Sequence, residues 1–263
     1  MYSDHQESFG NYTAILREEL VPAMGCTEPI AIAYAAAKAK ELLGEEPRHI
    51  TVDCSGNIIK NVKGVTVPNS GGQKGIAVAA VLGITGGDAS KELEVIAGAD
   101  DAARARCKEL VDAGFCEVNH AEDVPNLYIS AKIRGETHSA EVVIEHHHTN
   151  IVRMTRDGVL VFSKEAEEAA AEKQAAANAA DRNAMTLRGI LDYANGVEIS
   201  EVSEVLARQV RYNSAISQEG LDHVWGAQIG KTMLEIWGNN VKTRAIAKAA
   251  AGSDARMSGC ALP

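Results

Sequence analysis

Gly25-Cys26-Thr27-Glu28-Pro29-Ile30-Ala31-Ile32-Ala33-Tyr34-Ala35-Ala36-Ala37-Lys38-Ala39-Lys40-Glu41-Leu42-Leu43-Gly44 is the stretch whose reading decides the fold. Pro29 stands early in the first turn of a helix over 28–43, where a missing N–H is no loss, and Gly44 closes it. Residues 30–39 are almost all alanine and isoleucine. A helix that is apolar all round is buried rather than laid on a surface. Aromatics make up only 4% of the 263 residues, so the body around this helix has to be built from small side chains packed closely.

Upstream, residues 7–21 read as an amphipathic helix with Tyr12, Ile15, Leu16 and Leu20 on one face, ended by Pro22. Downstream, 49–54 reads as a short strand. The glycine-rich turn Pro68-Asn69-Ser70-Gly71-Gly72-Gln73-Lys74-Gly75 then leads into the apolar run 76–82, and 99–113 reads as a further helix. The period changes to two over 127–133, 139–145 and 151–155, with turns expected at Gly135-Glu136 and Asp157-Gly158. Beyond Lys164 the pattern is helical again, over 165–178, 184–194, 199–217, 227–237 and 240–251, with Gly252 as the last cap. The weakly hydrophobic stretch 165–180 is either an exposed helix or a connector.

The expected fold is α+β: an alanine-rich helical body (1–114 and 164–263) with a small antiparallel β-layer (115–163) in the middle of the chain.

A net charge of −10 excludes a nucleic-acid surface, which needs clustered Lys and Arg, and argues against docking on anionic lipid. No uncharged apolar run reaches the ~18 residues of a bilayer span. The opening Met1-Tyr2-Ser3-Asp4-His5-Gln6 lacks the basic and apolar regions of a signal peptide. The compartment expected is the cytoplasm. Five cysteines, an odd number without a C-x-x-C pair, point to buried, catalytic or metal-bound thiols rather than disulfides.

Two cysteines stand out. Cys26 lies between two helical patterns, at a helix start whose dipole favours a thiolate suited to metal ligation or attack; a small buried thiol is the plainer reading. Cys260, in Ser258-Gly259-Cys260, lies in what reads as an internal loop, whereas Cys54, Cys107 and Cys116 fall in strand or helix patterns and read as core or incidental. The 69–75 loop is not a Walker A motif; it either holds an anion with its amides and Lys74 or is a tight turn that needs its glycines. His146-His147-His148 cannot all face one side of a strand. One of them, with Thr149 and Asn150, either carries a proton or bonds a substrate, or the run is a polar surface turn. The Trp225-Gly226-Ala227-Gln228-Ile229-Gly230-Lys231 run reads as close helix packing.

These blocks, in this order, resemble the serine dehydratase-like α-subunit superfamily, and within it the L-cysteine desulfidase branch (UPF0597). The carrying residues are Met24 to Pro29, Gly71 to Gly75, His148 to Ile151, Trp225 to Gly230 and Ala251 to Cys260, spread over essentially the whole chain. The resemblance implies a [4Fe–4S] cluster and no pyridoxal phosphate, with Cys26 and Cys260 at two cluster-ligand positions. The family pattern continues past Pro263 to a third cysteine, so the chain resembles an N-terminal portion. A homo-oligomer, or completion by a C-terminal segment or second chain, is expected.

The implied chemistry is β-elimination from L-cysteine to pyruvate, ammonia and hydrogen sulfide. His148 is expected as base, Lys74 beside the substrate carboxylate, and Thr27, Glu28, Ser70, Gly71, Gly72 and Asn150 as substrate-binding residues. The alternatives are an L-serine dehydratase, a pyridoxal enzyme built on Lys74, and a non-catalytic ligand-binding or subunit-interaction chain.

Overall fold

Helix α1, Tyr2–Glu19, stops before Pro22, and after a short linker helix α2 runs over Thr27–Leu43. Gly44 ends α2 in the left-handed region at φ 74°, its N–H bonded to the Lys40 carbonyl, a geometry that favours glycine. The computed structural model describes residues 2–165 and 180–262. Strand β1, His49–Ser55, leads directly into the short helix α3, Gly56–Val62. The turn that follows opens helix α4, Ile76–Gly86, and helix α5, Asp101–Asp112, is capped by the Asp100 side chain on the Ala103 amide.

Burial follows the composition. Ile30, Ala31, Ile32, Ala33, Ala35 and Ala36 are fully buried, because α2 lies with α4 on one side and the sheet on the other. Gly83 of α4 makes that approach possible: a Cβ there would fall 2.2 Å from the Ala33 carbonyl oxygen.

The remaining strands are β2 (Cys116–Ala121), β3 (Tyr128–Arg134), β4 (Ser139–Glu145), β5 (Ile151–Arg156) and β6 (Val159–Ser163). They form one six-stranded sheet with β1, in the order β2-β1-β3-β4-β5-β6. Ile50, Val52 and Cys54 of β1 and Ile129, Ala131 and Ile133 of β3 are buried. On the other face Lys132 Nζ lies 2.5 Å from Asp53, and Arg153 lies 3.2 Å from Glu141. One wet face and one dry face explain the period-two signal.

The sheet differs from the antiparallel layer expected over 115–163. It is mixed, because β1, from the first 114 residues, pairs in parallel with β2. Parallel neighbours need a long crossover, here α3 to α5. β2 is an edge strand exposed through its middle, so no alternation marks it in the sequence.

Past residue 180, helices α6 (Leu187–Gly196), α7 (Ile199–Asp222), α8 (Ile229–Trp237) and α9 (Val241–Met257) form a second helical layer. Tyr12 of α1 stacks on Tyr193 of α6 with ring centroids 5.4 Å apart. The helix expected over 165–178 falls, from 166 on, outside the described residues. Gly252 is not a cap: α9 continues six residues beyond the expected end at 251, to Met257, with Gly252 in its interior facing Ser217 of α7. The extra turn is held by Asp254, whose carboxylate accepts the Ala227 and Ile229 amides at the start of α8. Close packing in the 225–231 run is as expected, for a Cβ on Gly230 would lie 2.3 Å from the Ala247 carbonyl oxygen. Among the described residues, no helix is long and apolar enough to cross a membrane.

Candidate functional site

The linker turns at Gly25 (φ 52°), and Cys26 becomes the N-cap of α2 in an extended conformation. Its side chain does not cap. The thiol instead donates to Glu28 Oε2 at 2.9 Å. Glu28, in the first turn, also accepts from Asn61 Nδ2 of α3 at 3.3 Å. Next to it, Thr27 Oγ1 lies 3.2 Å from His148 Nε2. The strand-ending histidines divide as their spacing requires: His146 turns the chain at φ 65°, His146 and His147 are exposed, and His148 is half-buried against α2.

These contacts set the charges. Burial first, then the hydrogen bond to Glu28 and its charge, push the Cys26 thiol up to about 12. This differs from the expectation of a thiolate favoured by the helix dipole: burial first, then the carboxylate next to the sulfur, outweigh a partial charge of about half a unit at the helix end. Burial works to raise Glu28, but the Cys26 thiol, its own amide, His148 and Asn61 together hold it below the usual carboxylate range. Burial lowers His148, helped by His147 and opposed by Glu28. At neutral pH the cluster is thus a thiol, a carboxylate and a neutral imidazole, the last with a lone pair able to take a proton.

Cys260 approaches the same corner from the other end of the chain. It is 3% exposed, packs with Ile216 and Ala255, and donates its N–H to the Ala255 carbonyl. Its thiol is raised chiefly by burial. A Cβ on Gly259 would meet Thr66 at 2.5 Å, and the Gly259 carbonyl accepts the Asn69 amide. On the Cys26 side, a Cβ on Gly25 would meet Pro68 at 2.6 Å and the Arg256 carbonyl at 3.2 Å. The two Gly-Cys turns and the start of the glycine loop therefore meet, each glycine being where another chain segment comes too close for a side chain.

The rest of the glycine loop serves itself. Ser70 is 1% exposed and bonded to the Gln73 carbonyl, while Asn69 is tied to the 96–99 segment and to Arg104. Gly71 and Gly72 take φ of 71° and 89°, and Lys74 is exposed, its backbone bridged to Thr66. Asn150 holds its own turn, donating to the Glu145 carbonyl and accepting from Lys164. So the structure brings Cys26, Thr27, Glu28 and His148 together, with Cys260 at the adjoining turn. It places Ser70, Gly71, Gly72, Lys74 and Asn150 in the supporting turns. Cys54 and Cys107 are buried in the core, as their patterns predict, and the half-buried Cys116 starts β2; burial pushes each thiol up to about 12.

Asn61 was not legible, since a lone asparagine in a seven-residue helix carries no signal. Among the described residues, no three His, Cys, Asp or Glu side chains gather as a metal-binding group.

Fold and site together define an α+β protein with a thiol–carboxylate–imidazole cluster at the start of a buried helix. The chain is 45% identical over 249 residues to a UPF0597 protein of Lachnoclostridium phytofermentans, a match covering 95% of this chain and 58% of the relative. It is 42% identical over 254 residues to one of Finegoldia magna (96% and 59%) and 42% identical over 264 residues to one of Desulfitobacterium hafniense (100% and 60%). The chain belongs to the UPF0597 family, and it spans about three fifths of the length of these relatives. No family model matches it, and no solved structure does.

Proposed function

We propose that this chain carries the acid–base half of a β-eliminating lyase site for a small amino acid, with L-cysteine ahead of L-serine. The observation behind this reading is the 3.2 Å contact of His148 Nε2 with Thr27 Oγ1, which sets a neutral imidazole next to Cys26 and Glu28 across more than a hundred residues of sequence. His148 takes the α-proton. The C–H electron pair becomes the Cα–Cβ double bond as the Cβ–S bond breaks and sulfur leaves with its electrons. The enamine then takes up water to give pyruvate and ammonia. Thr27 aims the imidazole, and its hydrogen bond fixes the ring for a single approach to the substrate.

An iron–sulfur cluster, once bound, supplies an iron that polarises the leaving sulfur. The residues present suit such a cluster in kind and not in number. Cys26 and Cys260 are thiols on turns that meet, and among the described residues no third His, Cys, Asp or Glu gathers with them as a metal-binding group.

The reading is tested by reconstituting the chain anaerobically with iron, sulfide and a small thiol as the missing third ligand, adding L-cysteine or L-serine, and following sulfide, pyruvate and ammonia. L-Cysteine is expected to give all three, and His148→Gln to slow turnover by about 10²–10⁴-fold, the usual worth of a positioned base. Turnover unchanged in His148→Gln would overturn its role. Pyruvate from L-serine alone would move the substrate to the hydroxy amino acid.

A further inference from the structure

The linker before Cys26 does not lie flush on the C-terminal helices. Between residues 20–27, α7 and the end of α9 lies a cavity of about 260 Å³. Drug-sized ligands take clefts of about 300–1,000 Å³, so this one suits a smaller molecule. Arg208 and Tyr212 from α7 and Arg256 from α9 line one side, and Gly25 and Thr27, the neighbours of Cys26, line the other.

From this geometry we infer that the cavity is the carboxylate subsite for the amino-acid substrate, with Arg208 and Arg256 as its specificity-determining residues; the inference rests on the lyase reading above. Charge is the first argument. On a chain of net charge −10, the wall facing Thr27 carries two guanidinium groups. Each is given a neutral partner: Arg208 donates to the Leu20 carbonyl at 3.1 Å and Arg256 to Asn213 Oδ1 at 3.4 Å. Neither forms an ion pair among the described residues. The acidic residue at the rim, Glu19, is taken by Arg182 at 2.7 Å. Five N–H donors on each guanidinium leave several for an incoming carboxylate, and a planar fork is the geometry that carboxylates match.

Position is the second argument. Thr27 lines the cavity and its hydroxyl also touches His148 Nε2, so the cavity that holds the arginines and the imidazole share one residue. The carboxylate holder is thus assigned to the two arginines rather than to the glycine loop, whose Ser70 and Gln73 side chains are occupied with their own turn.

The test uses the iron-free chain and calorimetric titration under nitrogen, so that it does not depend on turnover. The probes are L-cysteine and 3-mercaptopropionate, which carry a carboxylate, and cysteamine, which does not. Both carboxylates are expected to bind, and cysteamine at least about tenfold more weakly; Arg208→Gln and Arg256→Gln are each expected to weaken L-cysteine about 10–100-fold, the range for a charge-assisted hydrogen bond. Arg256, whose side chain donates to Asn213 and not to the linker, separates charge from bracing, and Arg256→Lys should recover part of the affinity. Unchanged far-UV circular dichroism shows that the variants fold. Equal binding of cysteamine, unchanged affinity in both Gln variants, or no binding of any probe overturns the inference. Carboxylate-dependent binding without sulfide release in the reconstituted chain would sustain the subsite and sink the lyase reading. Sulfide release with an unaltered KM in the arginine variants would do the reverse.

Discussion

His148 has a consequence that can be measured without any substrate. Burial lowers its pKa, helped by His147 and against the pull of Glu28. A group whose folded value is depressed binds fewer protons folded than unfolded, so its contribution to stability is present above the unfolded value, about 6.5, and fades as the pH falls. The imidazole C2–H resonance missing in His148→Gln is therefore expected to titrate below 6.5. The variant's unfolding free energy should also depend less on pH in that window. A resonance titrating above 6.5 would contradict the placement of the ring. At this scale the sequence was informative where chemistry and turn signals coincide, as in Gly25-Cys26-Thr27-Glu28-Pro29 and the corner at His148. It was silent for Asn61, Arg208 and Tyr212, ordinary polar residues on helices that are put to use only by what folds against them.

Among the elements, α2 and α4 pack with backbone close to backbone. With a Cβ at Gly83 due 2.2 Å from the Ala33 carbonyl oxygen, Gly83→Ala forces the helices apart. The expected cost is about 1–3 kcal/mol by denaturant titration, in the range for overpacking, and an unchanged midpoint would contradict it. The β3–β4 turn is clamped differently. Glu45, just past α2, is held at about 2 by the Thr137 amide, then the His138 amide and the Thr137 hydroxyl. Glycine at 135 leaves room for this clamp, since a Cβ there would meet the Glu45 carboxylate. This clamp is present above the carboxyl's ordinary value of 4.5 and lost as the pH falls through about 2. Glu45→Gln is expected to lower the melting temperature at pH 7, with the difference from the parent closing toward pH 2; a difference that persists at pH 2 would show another cause. The glycine at 135 was legible as a turn. Its partner, ninety residues away, was not, because local sequence carries no record of what a turn closes against. The parallel pairing of β1 with β2 escaped reading for the same reason.

Across the whole molecule, burial is uneven. The core of α2, α4 and the sheet contains nearly all the fully buried large side chains, whereas the buried cluster joining the C-terminal helices is Ile216, Ala255 and Cys260. Leu187, Ile199, Val210, Ile229, Ile236 and Trp237 stand exposed on those helices. Local opening is easier where little apolar surface is buried. Hydrogen exchange is accordingly expected to be slowest in α2, α4, β1, β3 and β4, and orders of magnitude faster in α6 and α8; uniform protection would contradict this. Cys260 belongs to the weaker half and Cys26 to the stronger, and their turns meet where the two halves join. That junction is the central claim, and anaerobic reconstitution with iron, sulfide and a small thiol to supply the missing third ligand tests it most directly. Iron content and absorption near ~400 nm, the mark of thiolate-bound iron–sulfur centres, would be compared for the parent chain, Cys26→Ala and Cys260→Ala. Bound iron with that absorption in the parent and its loss in each variant is the predicted result. Iron retained in both variants, or none bound by a folded parent, would contradict it.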